Sequence, residues 1–403
     1  MTFPDAAVEM CSRVKYRRLI VLSLQKDALR NCLRGPVWYL MRGPAWPLLS
    51  IGIGFKRGRI VPKLTWKRTE KKEAKVTKIS LEMGSGGKLM RDFIDDYVVK
   101  IFSNPFLNEL SDAALLPNKI GFTTDSYVVD PIFFPGGDIG SLSVNGTVND
   151  LIVSGIKPEF LSLSLIIEEG LELDAVIRIL KSVKKAADKA HVSIATGDTK
   201  VVRQGQGDKI FINTAGIGSI YARPAPKKIK PGDTVITTGT LGEHSLAIMM
   251  AREEFGMEAQ VESDCAPLNF LLPLWKKGVL WMRDITRGGL ATVLSELSEK
   301  LSFSLIIEEE KIPLSHPVQA ASELLGIDPL YLACEGRALL VVEKDKTESI
   351  LKAIRNNKNG KKAEVIGCVD DKRGRAGELL LSTLSGGLRL LEPLTSELLP
   401  RIC

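Results

Sequence analysis

Three aspartates in the sequence share a local pattern that suits a magnesium and phosphate site. Asp125 lies in TTDS, Asp150 in TVND and Asp198 in TGDTK, each beside small or hydroxyl-bearing residues, and we predict that each lies at a junction between elements. Magnesium is a hard cation that binds through a few carboxylates and substrate phosphates and keeps its remaining waters. One aspartate at a strand end is usually a turn residue or a cap. Only the three together favour a metal site.

Two glycine-rich runs accompany these aspartates, GSGGK at 84–88 and FFPGGDIG at 133–140. Glycine permits close backbone approach and positive φ, so that N–H groups can converge on an anion. Gly136 and Gly137 are candidates for such contacts, and Lys88, at the start of a predicted helix, would add a charge near a phosphate. Neither run matches GxxxxGK[ST] or GxGxxG. By pattern alone, each run is more often a tight turn.

Three further stretches carry groups suited to catalysis. DTKVV places Lys200 two residues after the last of the aspartates. RDITRGGL contains Arg283 and Arg287 around an acid and a Gly-Gly pair, a loop that can clamp a triphosphate or simply cap the next helix. CEGRALL places Glu335 on a turn before a buried strand, where partial desolvation raises a carboxyl pKa toward the range of a useful base.

The sequence ends in PRIC, and its last residue is Cys403. Terminal residues are usually poorly ordered, so one interpretation is a frayed end and the other is a thiol on a mobile arm. The ten residues that follow Pro393, up to Cys403, reach about 3.3–3.6 Å each when extended, enough to bring the thiol out of a pocket to a partner. A neighbouring carboxylate raises a thiol pKa, so Cys403 needs a cation such as Arg401 to react as a thiolate.

Composition excludes several classes of protein. The 403 residues are 44% hydrophobic and 26% charged, an ordinary globular composition. Six cysteines form no CxxC pair, and three histidines leave little material for a histidine metal site or a Ser–His–Asp triad. No stretch approaches the length of a transmembrane helix. With no signal peptide visible, we expect a cytoplasmic protein with reduced thiols.

The net charge of +7 comes from the first segment. Residues 1–76 hold 17 Lys/Arg against 5 Asp/Glu, whereas residues 77–403 hold 38 against 43. A basic stretch with tryptophans can bind nucleic acid or an acidic membrane surface. We prefer the hypothesis that residues 1–76 are a disordered or non-native extension upstream of a start at Val76. The basic charge therefore predicts neither a nucleic-acid partner nor a membrane partner.

Hydrophobic periodicity in the remainder predicts two successive mixed α/β halves. GSGGKLMRDFIDDYVVKIF is a glycine turn and an amphipathic helix, GSLSVNGTVNDLIVSG a buried helix of small residues, and WMRDITRGGLATVLSELSEKL a loop feeding a helix. We predict an α/β (α+β) protein with an N-terminal domain over 77–222, a C-terminal domain over 223–388 and a mobile tail over 389–403.

The ordered motifs of residues 78–403 resemble the HypE family of hydrogenase maturation factors, which are carbamoyl dehydratases. Their wider relatives are ATP-using enzymes of the aminoimidazole ribonucleotide synthetase type. The motifs are GSGGK, TTDSYVVDPIFFPGGDIG, NGTVND, TGDTKVV, DKIFINTAG, SDCAPL, RDITRGG and the terminal PRIC. Met83 stands where the family usually has a histidine, and the long N-terminal segment is foreign to the family.

This resemblance implies a reaction that uses ATP and Mg²⁺ on the terminal thiol. A partner carbamoyltransferase loads Cys403 with a carbamoyl group, and the enzyme then removes water, converting the thiocarboxamide to a thiocyanate. The nitrile carbon passes to iron-carrying maturation scaffold proteins and becomes the cyanide ligand of a [NiFe] hydrogenase. The family resemblance also implies a homodimer.

The resemblance assigns roles to individual residues as well. Cys403 is the implied carrier, Glu335 the proton acceptor and Lys200 the group that orients the carboxamide. The implied magnesium ligands are Asp125, Asp150 and Asp198. The implied nucleotide contacts are these three aspartates with Lys88, Gly136, Gly137, Asn149, Thr196 and Arg287.

Other interpretations stay open at this point. A selenophosphate synthetase or a thiamine-phosphate kinase would share the scaffold, but neither explains PRIC, and the first normally has a reactive residue near the N-terminal glycine loop. A non-catalytic maturation scaffold or a nucleic-acid binder acting through residues 1–76 would need no ATP turnover. Magnesium-dependent ATP turnover by a chain starting at Val76 discriminates between these classes.

Overall fold

The chain forms two units, Met1–Thr77 and Lys78–Cys403. The computed structural model describes the backbone of residues 38–40, 49–56 and 59–66 in the first unit, and residues 78–84, 86–252, 260–394, 399 and 401–403 in the second. In the first unit, β1 (Trp38–Leu40), β2 (Leu49–Lys56) and β3 (Arg59–Trp66) form an antiparallel sheet. The sequence analysis predicted no strand there. The rest of the predicted extension over 1–76 lies outside the described residues, and its character stays a prediction.

The first large sheet of the second unit has five strands, in the order β4-β5-β10-β8-β9. Only β8 and β9 run parallel; the other neighbours are antiparallel. The strands are β4 (Ala114–Leu115), β5 (Ile120–Tyr127), β8 (Ile156–Glu168), β9 (Ser193–Val202) and β10 (Ile210–Ile220), and the short hairpin β6 (Phe133–Phe134) and β7 (Gly137–Asp138) follows β5.

One face of this sheet is covered by α3 (Ile139–Val153), on which α4 (Leu173–Ala190) packs in turn. Helix α3 begins with a capping box, in which the Asp138 carboxylate accepts from Ser141 N–H and the Ser141 hydroxyl accepts from Asp138 N–H. Its small residues permit close packing, because a Cβ on Gly140 would lie 2.6 Å from the Ile179 carbonyl oxygen of α4. The predicted buried helix of small residues is confirmed.

The opposite face of the same sheet is exposed and partly apolar. Phe122 on β5 is directly paired with Ile217 on β10, which is paired with Phe160 on β8. Directly paired residues point to the same face of a sheet. Their side chains are 39%, 42% and 45% exposed, in that order, so the three form a continuous apolar row open to solvent.

A seven-stranded sheet forms the second half, in the order β12-β14-β11-β15-β13-β16-β17. Its strands are β11 (Thr234–Thr237), β12 (Val279–Asp284), β13 (Ser304–Glu308), β14 (Ala338–Val342), β15 (Glu364–Asp370), β16 (Leu379–Ser382) and β17 (Leu388–Leu390). Only β13 and β16 are parallel. Every residue of β14 is buried. The prediction of a loop in WMRDITRGG is wrong for its first part, because WMRD belongs to β12.

The helices of this half are α5 (Glu243–Ala251), α6 (Gly289–Ser298), α7 (His316–Leu325) and α8 (Thr347–Arg355). Single 3₁₀ turns span Leu81–Gly84, Leu107–Glu109, Pro117–Lys119, Pro226–Lys228, Glu309–Lys311, Pro329–Tyr331, Lys344–Lys346 and Lys358–Gly360, and a longer one spans Asn269–Lys277. None of the helices that the structure describes is long and apolar enough for a membrane crossing.

The predicted amphipathic helix near the start of the second unit is confirmed. It consists of α1 (Lys88–Phe93), a π-helical segment (Ile94–Val99) and α2 (Lys100–Phe102). Part of its apolar stripe is open to solvent, because Leu89, Tyr97 and Ile101 are 44%, 46% and 73% exposed.

Candidate active site

A cavity of about 380 Å³ brings together side chains from both sheets. We call it the carboxylate cavity. Among its lining residues are Asp125 of β5, Asp150 of α3, Asp284 at the end of β12, Arg287 in the loop after β12, and Asp112 just before β4. Residues far apart in sequence therefore meet at one place, as an active site requires.

Asp112, Asp150 and Asp284 each offer a carboxylate oxygen within 4.8 Å of the others. The Thr123 hydroxyl lies 3.0 Å from Asp150 Oδ2 and donates to it. Burial raises the pKa of Asp150 well above its usual value, and the neighbouring charge of Asp125 raises it further. Burial together with the charge of Asp112 raises the pKa of Asp284 to about 8. Converging hard oxygen ligands that repel one another fit a divalent cation such as Mg²⁺.

The structure brings together two of the three predicted magnesium ligands. Asp150 belongs to the carboxylate triad, and Asp125 lines the same cavity with its carboxylate 3.3 Å from the Tyr127 hydroxyl. Burial raises the pKa of Asp125, and the nearby charge of Arg287 opposes that shift. Asp198 lies on β9 and does not line the cavity of this chain.

The predicted positions of these aspartates at element junctions are wrong. Asp125 lies inside β5, Asp150 inside α3 and Asp198 inside β9. Small hydroxyl residues, which favour turns, here make hydrogen bonds between elements: the Thr124 hydroxyl donates to the Thr214 carbonyl oxygen at 3.1 Å.

Sequence reasoning missed Asp112 and Asp284 as candidate ligands. Asp284 was noticed only as an acid between two arginines. Asp112 lies in ELSDAAL, which contains no local signal for a metal site. Arg283 connects the two halves here, because its guanidinium lies 2.9 Å from Asp112 Oδ1 and 2.6 Å from Glu296 Oε2. Its charge is thus occupied by structural ion pairs.

The glycine loop at 84–88 closes on the cavity. Gly86 and Gly87 line it, and Arg287 donates from Nη1 to the Gly84 carbonyl oxygen at 2.9 Å. Gly86 has φ of +80°, and a Cβ there would lie 2.6 Å from Arg287 Cβ. A larger residue at this position would push the loop away from Arg287.

The end of the chain is docked in a slot beside this site. Val128 N–H donates to the Cys403 carbonyl oxygen at 3.1 Å, and Asp130 N–H to the Arg401 carbonyl oxygen at 3.2 Å. The Ile402 carbonyl oxygen lies 2.7 Å from His244 Nε2. Because a carbonyl oxygen only accepts, that nitrogen carries the proton. Residues 395–398 and 400 of the predicted mobile tail lie outside the described residues.

The charge of Arg287 acts on both the docked thiol and the carboxylate cavity. Proximity to the Cys403 thiolate is the largest cause of a raised pKa at Arg287, and burial raises the pKa of Cys403 to about 12 despite that guanidinium. The cation predicted beside the thiol was Arg401. Arg401 instead pairs with Asp208 and donates from Nε to the Val128 carbonyl oxygen.

Glu335 is buried next to these groups, with 4% of its surface exposed. Its Oε1 atom has no hydrogen-bond partner within the described part of the chain. Burial raises the pKa of Glu335 well above its usual value, and nearby Asp284 adds to the shift. The carboxyl group is therefore poised to take or give a proton at an atom that nothing else occupies.

Comparison with known proteins identifies the family. The AIR synthase related protein N-terminal domain matches residues 110–220, and its C-terminal domain matches residues 230–378. Carbamoyl dehydratase HypE of Rhodobacter capsulatus is 41% identical over 336 residues, which cover 81% of this chain and 98% of that protein. This chain belongs to the HypE family. The family and the fold class predicted from the sequence are thus confirmed.

Further HypE proteins support the assignment. Carbamoyl dehydratase HypE of Escherichia coli (strain K12) is 39% identical over 337 residues, 81% of this chain and 99% of that protein. A crystal structure of HypE in complex with ATP has a TM-score of 0.68 at 41% identity and covers 81% of this chain and 100% of the other. A HypE–HypF complex has a TM-score of 0.70 at 42% identity, covering 75% and 99%. Thiamine monophosphate kinase of Aquifex aeolicus, at 19% identity and a TM-score of 0.57, shares the fold alone.

Several residues that the HypE resemblance assigned to nucleotide do not line the cavity in this chain. Asn149 is buried and bonded to backbone, donating to Ala266 O and accepting from Leu268 N–H. Gly136 and Gly137 form the turn before α3 and pack against Ser263 and Phe134. Lys88 pairs with Asp92 at 2.6 Å. Their nucleotide roles stay predictions.

The remaining assigned residues share one exposed strand. Thr196, Asp198 and Lys200 all lie on β9 and are exposed. Lys200 Nζ pairs with the Asp198 carboxylate at 2.8 Å. The single chain therefore holds these three groups at its surface. The open apolar row on the neighbouring strands lies beside them.

Proposed function

We propose that this chain uses ATP to dehydrate a carbamoyl group carried on Cys403, as a step in hydrogenase maturation. The activity follows from the family, because the curated HypE relatives are carbamoyl dehydratases that match over nearly their whole length. One observation carries the role of the thiol: Val128 N–H, three residues after the cavity-lining Asp125, donates to the Cys403 carbonyl oxygen at 3.1 Å and holds the chain end beside the carboxylate cavity. ATP binding is supported by the solved HypE–ATP complex.

The chemistry of dehydration explains why ATP is needed. Loss of water from a carboxamide is difficult because hydroxide is a poor leaving group. Transfer of the γ-phosphoryl group of ATP to the carboxamide oxygen makes that oxygen part of a phosphate leaving group. Loss of two N–H protons and cleavage of the C–O bond then give thiocyanate, ADP and orthophosphate. Positioning and charge neutralisation supply most of phosphoryl-transfer catalysis.

The proposed roles of individual side chains follow from this scheme. Glu335 takes a proton from the carboxamide nitrogen, which its unpartnered Oε1 supports. Arg287 offsets negative charge between the thiol and the transferred phosphoryl group. Asp112, Asp150 and Asp284 would hold Mg²⁺, with Asp125 beside them. Bound there, the ion would neutralise charge on the triphosphate.

We propose that the working form is a homodimer joined through the open face of the five-stranded sheet. The apolar row of Phe122, Ile217 and Phe160 supports this, since such a row favours burial against a partner. A second copy docked there would also contact β9. We propose that each copy supplies its Asp198 and Lys200 to the active site of the other copy. Light scattering should give a dimer for the natural chain and a monomer for Phe160→Asp.

Mixing two inactive variants tests that shared site. Lys200→Ala and Asp150→Asn, each inactive alone, should recover activity when they are mixed and allowed to exchange subunits, because one of the two sites in a mixed dimer is then intact. A mixture as inactive as its components would contradict the contribution of Lys200 across the interface.

Partner proteins belong to the same proposal. The solved HypE–HypF complex supports a docking partner for this chain. We propose that a carbamoyltransferase loads Cys403 and that an iron-carrying scaffold protein receives the nitrile carbon, in the cytoplasm. Release of the tail from its slot would present the thiol to either partner.

Mass spectrometry of the C-terminal peptide tests the function directly. After incubation with ATP and a carbamoyl donor system, the peptide should carry a carbamoyl adduct and then lose one water. Cys403→Ala should remove both changes while ATP binding persists, whereas the control Cys368→Ala should retain them. Asp150→Asn should leave the thiocarboxamide in place. Adducts that persist in Cys403→Ala would contradict the proposal.

A further inference from the structure

A second cavity, of about 450 Å³, shares no lining residue with the carboxylate cavity. We call it the lysine pocket. Its lining includes four exposed lysines, Lys189 at the end of α4 and Lys358, Lys361 and Lys362 after α8. Its volume lies in the range that small-molecule sites usually have. Nothing in the proposed dehydration uses these residues.

The four lysines converge without counter-ions. Across the part of the chain that the structure describes, none of their ammonium groups pairs with a carboxylate. Burial lowers the pKa of Lys189, and the neighbouring charge of Lys358 lowers it further. Like charges held together at the mouth of a concave site attract an anion.

The inner part of the pocket has the opposite character. Seven buried side-chain atoms lack a hydrogen-bond partner in the described residues, and three of them line this pocket: Glu243 Oε2, Asp264 Oδ2 and Ser315 Oγ. The Asp264 side chain is only 1% exposed. Asp264 Oδ2 forms an ion pair with Arg337 but no hydrogen bond. Buried polar atoms left without a hydrogen bond are costly, so their concentration here indicates that a ligand with N–H or O–H groups completes them.

Arg337 also lines this pocket. Its Nε donates to the Thr240 carbonyl oxygen at 3.0 Å and lies 3.6 Å from Asp264 Oδ2. A Cβ on Gly239 would lie 2.8 Å from that Nε, so the glycine allows the guanidinium to approach the backbone. The arginine is thus held in place before any ligand arrives, and its fork geometry suits a phosphate.

We propose that the lysine pocket binds a small phosphorylated molecule whose other end carries N–H or O–H donors, such as a nucleoside monophosphate. The phosphate contacts the lysines and Arg337. The donors of the other end contact Glu243, Asp264 and Ser315. This site is separate from the one that binds ATP.

Calorimetric titration of the full chain tests the proposal, with the ATP site first saturated by a non-hydrolysable ATP analogue and Mg²⁺. AMP should bind, and orthophosphate should bind more weakly because it reaches only the lysines and Arg337. The triple variant Lys358→Ala, Lys361→Ala, Lys362→Ala should weaken AMP binding about tenfold or more. Glu243→Gln should weaken AMP binding and leave orthophosphate binding unchanged.

A matched triple variant controls for net charge. Lys181→Ala, Lys227→Ala, Lys352→Ala removes three exposed lysines that do not line the pocket and should bind AMP as the natural chain does. Absence of AMP binding in the natural chain, or equal weakening in both triples, would overturn the proposal. ATP-dependent dehydration measured on the same samples reports on the proposed function separately, because none of these residues lines the carboxylate cavity.

Discussion

The two sheets of the second unit place their functional side chains in different ways. The five-stranded sheet has one open face, and Asp125 and Lys200 lie within its strands. In the seven-stranded sheet β14 is buried throughout, and the chemical groups lie at strand ends: Asp284 closes β12 and Glu335 precedes β14. An unpartnered charge in the middle of a strand buried on both faces is costly. A strand covered on both faces therefore leaves its ends for chemistry, whereas a strand with one open face can carry functional side chains along its length.

The largest effect is expected at Glu335, just before β14. Glu335→Gln should lower the rate of dehydration about 10²- to 10⁴-fold, because the proton acceptor is lost. Carbamoyl loading of Cys403 should continue, and the mass of the C-terminal peptide separates the two steps. Glu310→Gln, at an exposed position of the same half, is the control. An unchanged dehydration rate in Glu335→Gln would remove this strand end from the mechanism.

A stability measurement sharpens the contrast between covered and open faces. Leu340→Ala, at a fully buried position of β14, should lower the free energy of unfolding by about 2–5 kcal/mol. Phe122→Ala on the open face should change it by about 0.5 kcal/mol or less. Urea unfolding measures both, in the Phe160→Asp background so that dimer contacts do not contribute. Equal losses would show that the open face is packed within one chain.

The smallest expected effect is the pH dependence of docking of the Cys403 thiol. Its pKa of about 12 lies above that of a free thiol, so the proton favours the docked state. Docking is therefore constant at low pH and weakens as pH rises from about 9, the ordinary thiol pKa, toward about 12. The ultraviolet absorbance of the thiolate, taken as the difference between the natural chain and Cys403→Ser, should titrate in that upper range. Arg287→Gln should move the midpoint higher still; a lower midpoint would contradict the contact.

Sequence patterns predicted the structure correctly where residues close together in the sequence determine it. The small residues of α3 predict close packing, and the structure has it at Gly140. The carboxylate triad could not be predicted in the same way. Asp112 reaches it through contacts with distant Arg283, and no local pattern records such a contact. The position of Asp125 was misjudged for a related reason, since Thr124 bonds across the sheet to a neighbouring strand.

The position of the thiol shows the same limit. Arg401 is near Cys403 in sequence, which made it the predicted partner, yet the guanidinium beside the thiol belongs to Arg287. Backbone pairing at Val128 and Asp130 turns Arg401 toward Asp208 instead. The terminal motif predicted a reactive sulfur. The charged groups around that sulfur come from distant parts of the sequence, so the motif could not predict them.

The backbone contacts that hold the end of the chain set the position of the terminal sulfur. Val128 N–H and Asp130 N–H donate to the carbonyl oxygens of Cys403 and Arg401, so the number of residues between these two contacts sets the position of the terminal residue. The Arg401 side chain adds its own contact with Asp208. One or two residues inserted between Arg401 and Cys403 would displace the sulfur relative to these contacts. We therefore expect the number of residues between Arg401 and Cys403 to be constrained more strictly than the sequence of the tail that precedes them.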